Sequence, residues 1–198
     1  MSQILLLQSS LNGPASRTNQ LMERFLQTRR EQGHQDQVVV RDLTALDLPV
    51  LDSPLFHALR GAEPANEAIR QAVALSDRLI AELKAADLLL IGAPMYNLNV
   101  PTPLKNWFDL VARAGVTFRY TDTYPMGLVE GVNALVFSSR GGVHQGQTTD
   151  AVTPYLESVL GLMGIPVGFV YAEGMDLRPH GAEQGMREAH ARIADLGR

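Results

Sequence analysis

The 198-residue sequence predicts one α/β domain built on a doubly wound, five-stranded parallel sheet with helices on both faces. The first observation behind this prediction is that five short apolar segments alternate along the chain with longer segments of helical periodicity. The second is that such wholly apolar segments are typical of parallel strands, which are buried on both faces of the sheet. The third is length, because 198 residues suit one domain with a sizeable core, and no linker or repeat divides them.

The first half of the chain begins the alternation. Residues 4–7 are wholly apolar and precede a stretch rich in Ser, Asn, Gly and Pro, which predicts the first strand, at the centre of the sheet. Apolar residues at helical spacing predict a helix over 17–32, which Gly33 ends, and the β-branched residues 38–40 predict the second strand. Residues 43–65 contain three prolines and are expected to form a largely irregular insertion.

The second half repeats the cycle. Solid apolar runs again predict strands, and apolar residues recurring with the helical period predict helices. In chain order we expect a helix over 67–86, a strand over 88–91, a helix over 103–114, a short extended segment over 116–120, a strand over 132–137, a helix over 152–163, a strand over 167–171 and a helix over 182–196.

Composition excludes several classes of function. Seventeen Lys and Arg against 21 Asp and Glu give a net charge of -4, and no basic run exceeds Arg29-Arg30, so nucleic-acid binding is not expected. The absence of cysteine excludes disulfides, a thiolate nucleophile and thiolate metal sites, and we expect no metal. Redox chemistry would therefore need an organic cofactor. No segment has the pattern of a signal peptide or a membrane span, which predicts a cytoplasmic protein without membrane contact.

Three loops that follow predicted strands are the candidate functional regions. In doubly wound sheets, ligands bind beyond the carboxyl ends of the strands, where the direction of winding switches. Loops 8–18, 93–101 and 138–144 are therefore expected to converge.

The first of these loops has the composition of a phosphate site. Ser10, Ser16 and Thr18 offer hydroxyls before a predicted helix, whose first amides and dipole favour an anion, and Arg17 adds a cation. The alternative is that Ser16 or Thr18 only caps the helix. Neither a GxGxxG fingerprint nor a Walker A sequence occurs, so a monophosphate ligand such as FMN is favoured over a dinucleotide or an NTP.

The second loop offers cover for a planar ring. Met95, Tyr96 and Asn97 combine apolar, aromatic and amide side chains between two prolines, and a planar ring needs such cover and hydrogen bonds at its polar edge. The alternative is an ordinary turn whose Met and Tyr cap the core.

The third loop offers close backbone approach to a ligand. Gly141-Gly142 directly follows a predicted strand, and Ser139 and Arg140 offer donors that would stabilise negative charge on a reduced flavin. His144 is expected at the mouth of the site. The alternatives are a simple tight turn and a surface histidine.

Longer motifs show a family resemblance. Residues 93–97, 104–106, 108–121 and 138–142 resemble those of the FMN-dependent NADH-azoreductases, which are also quinone reductases with a flavodoxin-like fold, and the resemblance extends over the full length. It implies FMN bound at its phosphate by the Ser, Arg and Thr residues of the first loop, and at its ring by 95–98, which includes Leu98, and 139–142. It also implies a homodimer with both active sites at the subunit interface, which the 104–121 segment would help to build.

The resemblance further implies a ping-pong reaction. NADH would reduce the flavin and leave, and a quinone or an azo compound would then be reduced in the same pocket, with no catalytic side chain. Substrate contacts are expected from Arg60, Tyr120, His144 and Leu162. The alternative for Arg60 is a solvated arginine, and Leu98 and Leu162 stand where the family often has aromatics, which leaves dye preference open.

Two other classes of function stay open at this point. A flavodoxin-type electron carrier would exchange electrons with protein partners, although its usual strongly acidic surface has weak support in a charge of -4. The second class is a domain that keeps the fold but does not bind FMN, because fold alone does not fix function. The alternative for the 104–121 segment is a solvated helix, since Lys105, Asp109 and Arg113 recur at i, i+4 spacing.

Overall fold

The sheet has the predicted five parallel strands, in the order β2-β1-β3-β6-β7. The structure is a computed structural model that describes residues 1–196. The strands are β1 Gln3–Gln8, β2 Gln37–Asp42, β3 Leu88–Gly92, β4 Phe118–Arg119, β5 Met126–Gly127, β6 Asn133–Ser139 and β7 Val167–Ala172. β4 and β5 pair with each other in a separate two-stranded hairpin. The helices are α1 Arg17–Glu31, α2 Ser53–Ala58, α3 Glu67–Ala85, α4 Thr102–Val111, α5 Val152–Met163 and α6 Gly181–Leu196. The predicted fold class is confirmed.

Alternation along the strands divides the buried side chains between two cores. In β1, Leu5 and Leu7 pack with α3, α4 and α5, whereas Ile4 and Leu6 pack on the opposite face with α1 and α6. Successive side chains of a strand point to opposite faces, so a run without polar residues is what a strand covered on both sides requires. Helices on both faces leave the carboxyl edge of the sheet as the place where its loops meet.

Four details differ from the prediction. β1 lies between β2 and β3, so β3 and not β1 is the central strand. The 43–65 insertion contains the short helix α2, which begins because the Asp52 carboxylate accepts a hydrogen bond from the Leu55 amide and Pro54 lies in the first turn. α4 ends at Val111, before the predicted Ala114. β5 was not predicted, since two residues are too short for any periodicity.

The edge strands of the sheet are β2 and β7. In β2, Val38, Val39 and Val40 are 37%, 40% and 48% exposed. Within residues 1–196, no helix is both long and apolar enough to span a bilayer.

Candidate functional site

The loop after β1 (residues 9–16, the β1 loop) prepares the start of α1 for an anion. The buried Ser16 Oγ accepts a hydrogen bond from the Asn19 amide at 3.1 Å and lies 3.0 Å from the Thr18 hydroxyl, which is also buried. The amides of Arg17 and Thr18 have no acceptor among the described residues. Free amides at the positive end of the helix, beside two hydroxyls, suit a phosphate. Asn19 Oδ1, buried without a partner in the described part of the chain, would accept from a ligand hydroxyl.

The β1 loop is bound directly to the loop after β3 (residues 93–101, the β3 loop). The Tyr96 hydroxyl lies 3.1 Å from Ser10 Oγ and accepts a hydrogen bond from the Leu11 amide at 3.1 Å. Ser9 Oγ donates to the Gly92 carbonyl at 2.6 Å. The predicted convergence of these two loops is confirmed, and Tyr96 serves as the bridge between them.

The β3 loop contains a strained turn. Tyr96 and Asn99 exchange backbone hydrogen bonds of 2.9 and 3.0 Å, and Asn97 and Leu98 between them have φ values of +49° and +65°. Left-handed backbone is rare outside glycine and costs about 1–2 kcal/mol per residue. The Leu98 side chain is 45% exposed, and the two central amides have no acceptor within residues 1–196. Strain of this kind is concentrated at ligand sites.

The third loop follows β6 (residues 140–151, the β6 loop) and lies beside the other two. The Met95 amide of the β3 loop donates to the Ser139 carbonyl at 2.9 Å. The three carbonyls of residues 140, 141 and 142 accept from the amides of Met175, Asp176 and Gly174, at 3.0, 3.0 and 2.9 Å. In a trans peptide the N–H points opposite to the C=O. The amides of Gly141 and Gly142 therefore point away from the 174–176 segment, and they have no acceptor in the described chain.

A side chain at either glycine of this loop would displace a neighbouring side chain. A Cβ on Gly141 would lie 2.3 Å from Asp176 Oδ2, and one on Gly142 would lie 2.8 Å from His144 Nε2. Both distances are too short for real contacts. The site surface at residues 141–142 is consequently backbone, which permits the close approach that the sequence predicts.

The Arg140 side chain differs from its prediction. We expected its donors to lie near a ring, but its guanidinium is 0% exposed and bonds elsewhere, so the side-chain part of that prediction is wrong. Its partners are Asp150 at 3.0 Å, Glu173 at 3.2 Å, Thr153 at 2.8 Å, Ser138 at 3.2 Å and the face of Tyr171 at 4.6 Å. A buried guanidinium needs paired carboxylates, and Asp150 of the same loop and Glu173 after β7 supply them. The backbone of residue 140 stays a predicted cofactor contact, as does that of Ser139.

The surroundings of the ion pair also change the pKa values of Asp150 and Tyr171. Burial acts to raise the pKa of Asp150, but hydrogen bonds from the Thr153 amide, Arg140 and the Thr153 hydroxyl outweigh it, so the pKa is below its ordinary value. Burial raises the pKa of Tyr171. The carboxylate at 150 therefore stays charged opposite Arg140 well into the acid range.

The residues predicted to contact substrate do not form one cluster in the single chain. Arg60 lies 4.3 Å over the Phe56 ring and donates to the Tyr120 hydroxyl at 3.3 Å, so these two predicted residues are brought together. His144 lies on the β6 loop, with Nδ1 2.8 Å from the Thr149 hydroxyl. Leu162 is half-buried near the end of α5. Only His144 among them belongs to the three converging loops.

Sequence reasoning missed the carboxylates that organise the β6 loop. Asp150 accepts from the Thr153 amide at 3.0 Å near the start of α5, a pattern that the Asp-x-x-Thr spacing indicates. Nothing in the sequence pairs Glu173 with residue 140, since 33 residues separate them. Tyr155 was also missed. Burial raises its pKa, and it lines a cleft of about 380 Å³ with Tyr96 and Asn97.

The residues present fit FMN. The start of α1 offers two hydroxyls and two free amides for a monophosphate, and a cleft of about 520 Å³ adjoins it at Ser10 and Asn19. The turn at residues 96–99 and the Gly141-Gly142 backbone offer apolar cover and four free amides for a ring with polar edges. These features lie on loops that hydrogen-bond to one another, so one extended ligand could reach all of them.

Comparisons with known proteins agree with this arrangement. Residues 2–196 match the family described as Flavodoxin-like fold. The chain is 66% identical over 197 residues to the FMN-dependent NADH:quinone oxidoreductase 4 of Burkholderia lata, covering 99% of each chain. It is 52% identical over 197 residues to the FMN-dependent NADH:quinone oxidoreductase of Aeromonas salmonicida, again covering 99% of each. The crystal structure of an azoreductase from Bacillus anthracis str. Sterne is similar, with a TM-score of 0.87, 28% identity and coverage of 100% of this chain and 99% of that one.

Proposed function

Because the chain belongs to the flavodoxin-like FMN-dependent NADH:quinone oxidoreductases, we propose that it uses FMN to reduce quinones and azo compounds with NADH. Bound FMN supplies the redox chemistry, by accepting a hydride from NADH and delivering two electrons to the acceptor. The relatives' names supply the activity. The observation in this structure that carries the proposal is the set of unpaired amides on three hydrogen-bonded loops.

The start of α1 would hold the FMN phosphate. The Arg17 and Thr18 amides, the hydroxyls of Ser16 and Thr18, and the helix dipole all favour a dianion. Ser10 Oγ lies between this site and Tyr96, where it would contact the phosphate or the chain that links it to the ring. Arg17 is exposed and within residues 1–196 its side chain bonds only Gln20, at 3.2 Å, so its charge is available to the ligand.

The ring would lie between the β3 loop and the β6 loop. Residues 95–98 supply one wall, and residues 139–142 supply the other. The Gly141 and Gly142 amides are fixed donors, and fixed donors stabilise the negative charge that develops when the ring is reduced. The chain thus binds and orients the cofactor and polarises it. No side-chain nucleophile is required, so the proposal assigns none.

Turnover of small substrates is favoured over the electron-carrier function. The relatives are named for an NADH donor and a quinone acceptor, which a carrier that meets only proteins would not use. A ping-pong sequence, in which donor and acceptor enter the same pocket in turn, is part of this proposal.

We propose further that the enzyme is a homodimer acting in the cytoplasm, where NADH is available. Support for a dimer comes from the substrate residues, because Arg60, Tyr120 and Leu162 lie outside the converging loops of their own chain. Tyr120 is 64% exposed, and a second copy would bring it to a site. We propose that the 104–121 segment also helps to build the dimer interface. Within residues 1–196, its Lys105–Asp109 pair at 2.6 Å is the only one of the expected i, i+4 ion pairs that forms.

The test is anaerobic spectroscopy of protein loaded with FMN. Flavin absorbance that bleaches on addition of NADH and returns on addition of a quinone is the expected result. Bound flavin that NADH cannot reduce would support the electron carrier, and protein that stays colourless with excess FMN would support the domain without a cofactor.

A further inference from the structure

We infer that Glu173 is a positioning residue for the flavin ring, acting through the backbone of the β6 loop. This inference rests on the proposed function, since it assigns the loop to the cofactor. Glu173 directly follows the last residue of β7 and belongs to none of the three loops.

One carboxylate oxygen of Glu173 accepts hydrogen bonds from both ends of residues 140–145, the segment proposed to face the ring. Oε1 accepts from Arg140 Nη1 at 3.2 Å, from the His144 amide at 2.8 Å and from the Gln145 amide at 2.9 Å. Residues 141–143 lie between these anchors. Bonds from ionised groups are stronger than neutral ones, so this oxygen sets the span that Gly141 and Gly142 must bridge.

The neighbouring backbone fixes the direction of the amides. The carbonyls of residues 140–142 all face the 174–176 segment, where they accept from its amides, so the free N–H groups of Gly141 and Gly142 face the other way. If the anchor at 144–145 is released, only the three bonds to the 174–176 segment still hold this run of peptides. The amides of Gly141 and Gly142 would then keep their common orientation less rigidly.

Glu173 itself is held rigidly. A Cβ on Gly185 would lie 2.4 Å from the Glu173 carbonyl oxygen, which shows how closely α6 packs against this backbone. The side chain of Glu173 is 13% exposed. A carboxylate on an immobile backbone, next to a buried guanidinium, is suited to hold a loop in one geometry.

The experiment compares flavin binding by Glu173→Ala, Glu173→Gln and a control, Glu188→Gln. Glu188 borders the same cleft as Glu173, but among the described residues its carboxylate accepts only from Gln184, at 2.9 Å. The dissociation constants of FMN and of riboflavin are measured by quenching of flavin fluorescence, together with the Tm of each apoprotein. Riboflavin lacks the phosphate, so the pair of ligands separates the two ends of the site.

Glu173→Ala is expected to raise both dissociation constants by the same factor, about tenfold, because the loss is at the ring and the phosphate site is intact. Glu173→Gln keeps an acceptor without its charge and is expected to show a smaller, parallel increase. Glu188→Gln is expected to stay within about twofold of the wild type. The amides of residues 174–176, which donate to the 140–142 carbonyls, should exchange with solvent faster in Glu173→Ala.

A purely structural role predicts a different pattern. Lower apoprotein Tm in both Glu173 variants with both dissociation constants within about twofold of the wild type would overturn the inference alone. An increase confined to FMN would place the effect at the phosphate and also overturn it. Wild-type protein that binds neither flavin would overturn the proposed function, and the inference with it.

Discussion

The β1 loop and the β6 loop face one candidate site but are held in opposite ways. In the β1 loop the organising bonds are uncharged: Ser16 Oγ accepts from the Asn19 amide, and Ser9 and Ser10 bond the Gly92 carbonyl and the Tyr96 hydroxyl. In the β6 loop they are charged, from Arg140 to Asp150 and Glu173. A loop with uncharged bonds leaves its donors to the ligand at little cost to stability. A loop anchored on a buried ion pair couples its geometry to the folding of the domain.

The largest expected effect comes from removing the buried cation. Arg140→Met leaves Asp150 and Glu173 without their guanidinium partner, and breaking such a pair costs about 3–5 kcal/mol. Urea unfolding of the apoprotein measures this loss. The control is Arg17→Met, because this exposed arginine follows the β1 loop as the first residue of α1 and, in the described part of the chain, bonds only Gln20; we expect a change within about 0.5 kcal/mol.

The flavin affinities should rank these two variants differently. Arg17→Met is expected to weaken FMN without weakening riboflavin, since only the phosphate end loses a charge. Equal stability losses in both variants would contradict the contrast between the loops.

The next effect is the loss of the helix cap in the β1 loop. Ser16→Ala removes the acceptor for the Asn19 amide and should cost about 1 kcal/mol of apoprotein stability. It should also raise the dissociation constant of FMN more than that of riboflavin. Asn66→Ala is the matched control, because Asn66 caps α3 in the same way through the Ile69 amide and lies outside the three loops. An equal loss of FMN affinity in the control would argue against the phosphate assignment.

A smaller effect is expected at the strained turn of the β3 loop. Leu98→Gly removes the Cβ that disfavours φ of +65°, so apoprotein stability should rise by up to about 1 kcal/mol, less the greater chain entropy of glycine. Flavin affinity should fall if residue 98 covers the ring. Leu177→Gly is the control, since Leu177 is similarly exposed at 54% and has no positive φ. It should only lose stability.

The smallest effect is confined to acid. The pKa of Asp150 is lowered in the fold, so its contribution to stability is full above its ordinary value of 3.8 and disappears as pH falls through the folded value. Stability of the wild-type apoprotein should therefore decline below pH 3.8 more steeply than that of Asp150→Asn. Unfolding by urea at a series of pH values measures the two slopes. Equal slopes of stability against pH for the two proteins would show that Asp150 contributes no charged interaction with Arg140.

The same contrast explains how much the sequence could predict. Strands such as β3 were found because a wholly apolar run admits few alternatives, and the bounds of α5 matched at 152–163. The phosphate loop was found because hydroxyls before a helix are visible locally. Glu173 was missed since its partner lies 33 residues away, and the Arg140 side chain was misplaced for the same reason.

The hairpin of β4 and β5 shows a second limit. Its two pairs, Phe118 with Gly127 and Arg119 with Met126, are set by tertiary contacts, because two residues are too few for a pattern to appear. A Cβ on Gly127 would lie 2.2 Å from the Gly164 amide nitrogen, so the hairpin is positioned by the end of α5. Such a contact is invisible before the fold is known.

The central claim is that three loops of this chain form one FMN site, and a crystal structure of the FMN complex tests it most directly. We predict the phosphate at the Ser16 and Thr18 hydroxyls, with the ring between residues 95–98 and the Gly141 and Gly142 amides. A flavin bound elsewhere, for example in the cleft of about 680 Å³ beside Phe169 and Tyr171, would contradict the account.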